Sequence, residues 1–328
     1  MNAGRLRADV AGRIADVLAG AAAPLTDVYV GWTAAHEAAT CPARYRGQGE
    51  DGWGFPGWSP VLAAGACGRA ALAHHIARAD LARRPPPMPV PLVAIRTWMQ
   101  ALRSPPEPGR PAEERSSVGD WVRETWEAGD TATLAAVAAT AGRWLAGFVR
   151  VLGWPLPPQF TLLNAPGPAA VPSLRWHPDK ASPVTVACGA DARMGRVTGA
   201  GGFALAVHRV STGDDGALRE RAAFESAAGA LAIGVPPASV LVTAGDTGER
   251  VTLPVDEDLL AQGAERIVGV VTQRAVAVER GFDPADATPS AACRHCDRLA
   301  DCPPGQGWLA AAGRWRGGLP VLSVLPPG

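Results

Sequence analysis

The stretch Cys293-Arg-His-Cys296-Asp-Arg-Leu-Ala-Asp-Cys302-Pro303, close to the C-terminus, decides how the rest of the chain is read. Two residues separate Cys293 from Cys296 and five separate Cys296 from Cys302, so a tight loop aims three sulfurs at one centre. The fourth ligand is expected to be Cys41, far earlier in Thr40-Cys41-Pro42-Ala43-Arg44-Tyr45. Four thiolates suit an iron-sulfur cluster or a tetrahedral zinc, and His295 inside the loop keeps a zinc site with a histidine ligand open.

At 328 residues and 47% hydrophobic, the chain can bury a substantial core. Its 31 basic residues balance its 31 acidic ones, so no global field draws it to nucleic acid or to an anionic membrane, and any such binding needs a local patch. Lys180 is the sole lysine, and a mechanism that requires a lysine must use it. Charges interrupt every apolar run of residues 1–20, and no stretch reaches ~18 uninterrupted apolar residues. The expected location is therefore the cytoplasm, with no membrane partner. In that reducing compartment, six cysteines favour metal or cluster ligation over disulfides. Cys67 and Cys188 sit in apolar surroundings and read as core residues.

Along the chain, residues 5–20 have the spacing of an amphipathic helix. Val28 to Val30 precede a short helix that Thr33 is expected to cap and that ends near Cys41. Trp53, Phe55 and Trp58 lie in a glycine-rich loop beside Arg44 and Arg46; such aromatics stack bases of a single strand or cap a local core. A helix is expected over 62–83, carrying His74 and His75. The prolines from Pro85 to Pro91 predict an extended segment, and 104–114 is a second proline-rich stretch. Two helices are expected between Val118 and Leu152. Strands follow at 184–188, 192–198 and 203–210, then a helix at 218–233, strands at 239–243 and 250–253, and a long helix at 256–280.

The pair formed by Cys41-Pro42-Ala-Arg-Tyr45 and C-x2-C-x5-C resembles the iron-sulfur branch of the PD-(D/E)XK nucleases, the RecB-like group that includes CRISPR adaptation exonucleases and the nuclease domains of AddAB-type helicase-nucleases. The resemblance covers about residues 28–80 and 175–305. It implies an α/β fold: a restriction-endonuclease-like core, with a mixed central sheet flanked by helices, a helical insertion and a C-terminal cluster loop. The implied organisation is N-terminal helices over 1–84, the insertion over 85–172, the core over 173–290 and the cluster segment over 291–328. It also implies that Cys41, Cys293, Cys296 and Cys302 hold a 4Fe-4S cluster fastening the chain ends together. Closing that loop of about 250 residues is worth on the order of 5 kcal/mol in chain entropy.

In the resembling family a helix supplies a histidine, one strand an aspartate and the next an Asp/Glu-x-Lys, which together hold magnesium and orient the attacking water. Here His74 or His75 matches the histidine. Arg193-Met-Gly195-Arg196-Val puts Gly195 at the aspartate, and Val207-His-Arg209-Val-Ser211-Thr-Gly puts Arg209 and Ser211 at the acid and the lysine. Asp191 lies four residues before Gly195, roughly 13 Å along a strand, too far to stand in for it. Magnesium-dependent cleavage is therefore expected to be lost. Arg44, Arg46, Arg193, Arg196 and Arg209 are the candidate phosphate contacts. The leading reading is a pseudo-nuclease that binds DNA or serves as a scaffold beside a helicase or another DNA-processing protein. A nuclease with relocated ligands and a protein-interaction module without nucleic-acid affinity are the alternatives.

Overall fold

Leu6, Val10 and Ile14 recur every fourth residue and are fully buried, which makes Ala3–Gly20 the amphipathic helix α1 of the computed structural model. The structure describes residues 2–47, 58–81, 87–102, 118–157, 159–163, 170–171, 174–197, 202–209, 215–244, 250–290, 293, 296–312, 315–316 and 319–320. Strand β1 (Val28–Val30) leads into α2 (Trp32–Thr40) and α3 (Pro42–Gly47). Gly31, not Thr33, is the cap residue of α2, and no side chain caps it. Trp53 and Phe55 fall outside the described residues.

Helix α4 (Pro60–Leu81) buries a run of small residues, and Gly68 brings it close to α7 (Thr131–Leu152). A methyl at Gly68 would stand 2.6 Å from the Trp144 ring. Between them come α5 (Pro91–Ala101) and α6 (Val118–Glu127). Helix α5 begins at the last proline of the stretch expected to be extended, and residues 87–90 before it are outside any helix. Pro91 is its first residue, where a helix needs no amide hydrogen, so the proline starts the helix instead of breaking it. Asp130 caps α7 by accepting a bond from the Thr133 amide at 3.0 Å. Among the described residues α7 alone is long and apolar enough to cross a membrane. Its stripe of Leu134, Val137, Ala141, Trp144, Leu145 and Phe148 is buried in the helical core, and Arg143 and Arg150 interrupt it.

The remaining elements are β2 (Thr161–Leu163), β3 (Ala170–Val171), β4 (Arg175–Trp176), β5 (Val184–Ala187), β6 (Ala192–Gly195), β7 (Phe203–Arg209), α8 (Asp215–Ile233), β8 (Ser239–Ala244), β9 (Arg250–Pro254), α9 (Glu257–Arg280), α10 (Pro303–Ala311) and the short pair β10 (Trp315–Arg316) and β11 (Leu319–Pro320). Six strands form one mixed sheet in the order β3-β2-β6-β7-β8-β9. Neighbours β2–β6, β6–β7 and β8–β9 are antiparallel, whereas β7 and β8 run parallel because α8 carries the chain back between them. Ala206 of β7 belongs to the core shared with α4 and α7, while the adjacent Leu205 meets Gly229 of α8, so helices cover both faces. A second sheet has the order β1-β5-β4.

The protein is thus an α/β protein with mixed sheets flanked by helices. Two details differ from the sequence reading. Strand β2 comes from the stretch assigned to the helical insertion over 85–172, yet it pairs with β6 in the main sheet. Strand β5, expected in the core sheet, pairs with β1 instead. Three residues such as Thr161 to Leu163 are too short to show a strand period, and a strand pattern does not say which neighbour completes it.

The chain divides into two compact units. One comprises Met1–Ala3, Phe55–Arg175 and Ala187–Gly263, and holds the six-stranded sheet; the other comprises Gly4–Gly54, Trp176–Val186 and Ala264–Gly328. In the first, a Cβ at Gly263 of α9 would lie 2.2 Å from the Ala223 carbonyl oxygen of α8, so only glycine fits that helix crossing. Gly263→Ala is expected to cost about 3 kcal/mol or slightly more. Gly269→Ala, with nothing within 4 Å of the new methyl, should gain about 0.5–1 kcal/mol. Chemical denaturation of the two variants checks both signs.

Candidate metal centre

Cys41 and Cys302 share a local design: each directly precedes a proline that begins a helix, Pro42 of α3 and Pro303 of α10. A residue before proline is driven away from helical backbone, and both cysteines are non-helical, at φ −151°, ψ 86° and φ −120°, ψ 84°. Each side chain therefore leaves the helical spiral at the junction. Cys41 is held from behind by its amide bond to the Glu37 carbonyl at 2.9 Å and from ahead by the Tyr45 amide, which reaches its carbonyl at 3.1 Å.

The C-terminal triad is a ladder of three-residue turns. Amides of Cys293, Cys296, Leu299 and Cys302 bond the carbonyls of Ser290, Cys293, Cys296 and Leu299 at 3.0–3.2 Å. A repeat of three residues per turn stacks those four positions on one side, which is what the C-x2-C-x5-C spacing encodes. Three carry sulfur, and the fourth, Leu299, is buried. Gln306 of α10 locks the ladder by donating from Nε2 to the carbonyls of Leu299 and Ala300 at 2.9 and 2.7 Å. Arg298 donates to the Gly47 carbonyl at 3.1 Å, and Arg46 donates to the Asp286 carboxylate, tying α3 to the same segment.

As a result Cys41, Cys293, Cys296 and Cys302 line one cavity, together with Glu37, Thr40, Arg44 and Phe282. All four are free thiols. Burial raises the Cys296 thiol above its ordinary range, Arg44 pulls it down, and the Cys41 and Cys293 sulfurs add to the rise. Among the described residues no group of three or more His, Cys, Asp or Glu side chains is placed to hold a metal ion. Four thiols lining one cavity are the donor set that a tetrahedral zinc and an iron-sulfur cluster both take. His295 lies outside the described residues.

The residues aligned with the nuclease motifs are another matter. Gly195 ends β6 with φ +91°, opposite Phe203, and a Cβ there would lie 2.9 Å from the Gly202 carbonyl oxygen. Arg209 ends β7 six residues beyond Phe203, on the order of 20 Å away. The two positions that the motif alignment pairs are thus at opposite ends of one strand, and this constellation is not assembled. Ser211 lies outside the described residues. His74 and His75 are half-buried on α4, with unpartnered Nε2 atoms and imidazoles held below their ordinary range by burial; His75 faces Trp154.

The acid at that end of β7 is Asp191, which sequence distance from Gly195 had set aside. It is 2% exposed, accepts a bond from the His208 amide at 2.7 Å, and forms an ion pair with Arg69 at 2.9 Å. Glu225 of α8, fully buried, accepts the Gly189 amide at 2.6 Å and lies 3.6 Å from Arg221. Burial raises the Glu225 carboxyl, and Arg221 opposes that rise. His208 sits edge-on to Trp144 and Phe148 with Nδ1 on the Thr243 hydroxyl.

No family model and no curated protein matches this chain.

Of the candidate phosphate contacts, Arg46 is corrected: its guanidinium is buried and committed to Asp286, beyond the reach of a nucleic acid. Arg44 lines the cysteine cavity, 3.7 Å from Glu37. Arg193 is half-buried on β6, and Arg196 is exposed just past it. Cys67 and Cys188 are core residues, as their apolar surroundings implied, and burial pushes the Cys67 thiol up to about 12.

Two outcomes follow from this geometry. Burial depresses His208 to about 4 in the folded protein against an ordinary 6.5, so its contribution is intact above pH 6.5 and is lost as the pH falls toward 4. The loss should reach ~3 kcal/mol at ~1.4 kcal/mol per unit, and His208→Gln should flatten this part of a stability profile taken by urea denaturation. Gly195→Asp should lower the melting temperature and leave magnesium affinity, measured calorimetrically, unchanged.

Proposed function

We propose that this chain is an iron-sulfur protein with a restriction-endonuclease-like core that has given up phosphodiester cleavage and acts as a DNA-binding or scaffolding subunit beside a helicase or another DNA-processing protein. One observation carries the reading: a thiol from the front of the chain and three from its tail line a single cavity, the arrangement a 4Fe-4S cluster uses to fasten two chain ends. The residues fit that group, which supplies four bonds to the protein and no hydrolytic chemistry of its own. The sheet supports the fold assignment, because β2, β6 and β7 make an antiparallel meander and α8 then leads to β8 parallel to β7.

Loss of cleavage is supported by the way Asp191 and Glu225 are used. Metal-dependent hydrolysis needs carboxylates free to hold a divalent cation that activates water. Asp191 already has Arg69 as its cation, and Glu225 has Arg221. Of the candidates other than Arg46, Arg193 and Arg196 lie together at the end of β6, and guanidinium suits phosphate contact.

Anaerobically purified protein should be brown, with about four iron and four sulfide per chain, and Cys41→Ser should lose both. Binding of labelled single- and double-stranded DNA should weaken linearly in log affinity against log salt, and the Arg193→Glu, Arg196→Glu double variant should weaken it at least tenfold. Cleavage appearing with magnesium or manganese, zinc in place of iron, or no DNA affinity at any salt concentration would each overturn the corresponding part of the proposal.

A further inference from the structure

Helix α10 carries two glycines inside its nine residues, Gly305 and Gly307, each less favourable there than alanine by about 0.5–1 kcal/mol. Neither has the positive φ that only glycine tolerates easily. Gly307 has nothing within 4 Å of where a Cβ would stand. Gly305 is different. A Cβ there would lie 3.3 Å from the Cys302 sulfur, 3.3 Å from Leu299 Cδ1 and 3.5 Å from the Cys293 sulfur.

All three neighbours stand on anchored backbone. Leu299 is buried, and its carbonyl is bonded by Gln306. Cys293 is fixed by its amide bond to the Ser290 carbonyl at 3.0 Å and by the Ser290 amide, which donates to its sulfur at 3.3 Å. Cys302 donates its amide to the Leu299 carbonyl at 3.2 Å and accepts the Gln306 amide at 3.0 Å. Added volume at position 305 therefore presses on two sulfurs whose backbones cannot retreat. Gly305 is also the first residue of α10 with an amide hydrogen, since Pro303 and Pro304 have none.

We infer that Gly305 is a positioning residue for the inorganic centre: its missing side chain lets α10 lie flush against two of the four sulfurs and sets the gap between them. The inference rests on the cluster reading above. Ligand sets of this kind tolerate displacements of only ~0.5 Å before affinity suffers, and a methyl at this position asks for a few tenths of an ångström while a branched side chain asks for more.

The test compares wild type, Gly305→Ala, Gly305→Val and Gly307→Ala for iron and sulfide per chain, for the half-life of the visible absorbance in air, and for far-UV circular dichroism before and after iron is stripped by chelation. Gly307→Ala should match wild type. Gly305→Ala should bind iron but lose its absorbance several-fold faster, and Gly305→Val should retain a tenth of the iron or less. Stripped Gly305→Ala should have the same dichroism as stripped wild type, which assigns the loss to the centre. Both Gly305 variants keeping wild-type iron and lifetime would overturn the inference, and so would a stripped Gly305→Ala less folded than stripped wild type, since Gly305 would then serve helix packing alone. A wild type without iron fails the cluster reading itself and takes this inference with it, an outcome visible before any variant is compared.

Discussion

The steric bias of a residue before proline against helical backbone governs how this protein presents its sulfurs. Cys41 and Cys302 stand at helix junctions because Pro42 and Pro303 make them do so, and the thiols turn toward a common space instead of along a helix face. Around that space the segments are secured by ordinary means. Gln306 grips two carbonyls of the turn ladder, Arg298 grips Gly47, and the buried Arg46 is neutralised by Asp286. An arginine as fully buried as Arg46 is tolerable only with such a partner.

Much of this was legible from residue order alone. The 3.6-residue recurrence of Leu6, Val10 and Ile14 gave α1, and the apolar runs gave β6, β7 and β8. Cys41 lines one cavity with the three cysteines of the C-terminal spacing. What escaped notice did so for identifiable reasons. Pro91 reads as a breaker until it is known to occupy a first turn. Thr161 to Leu163 are too few to display a period. The partnership of Asp191 with Arg69, 122 residues apart, is a tertiary fact that no local pattern announces. The register between β6 and β7 sets Gly195 opposite Phe203, at the other end of β7 from Arg209, and residue order alone does not disclose a register.

Asp191 and Glu225 are internalised, and each is matched to a guanidinium, from α4 and α8 respectively. Such pairs contribute little net stability over apolar packing, but removing one partner strands a buried charge, at a cost of roughly 3–5 kcal/mol. Arg69 and Arg221 are thus bound into the architecture of the first unit.

The second unit is assembled from Gly4–Gly54, Trp176–Val186 and Ala264–Gly328. Its strand β1 finds β5 some 150 residues later, and Arg13 of α1 finds Glu265 across 252 residues. During synthesis at about 5–20 residues per second, β1 therefore waits on the order of ten seconds for the strand that completes it, and Arg13 waits longer for Glu265.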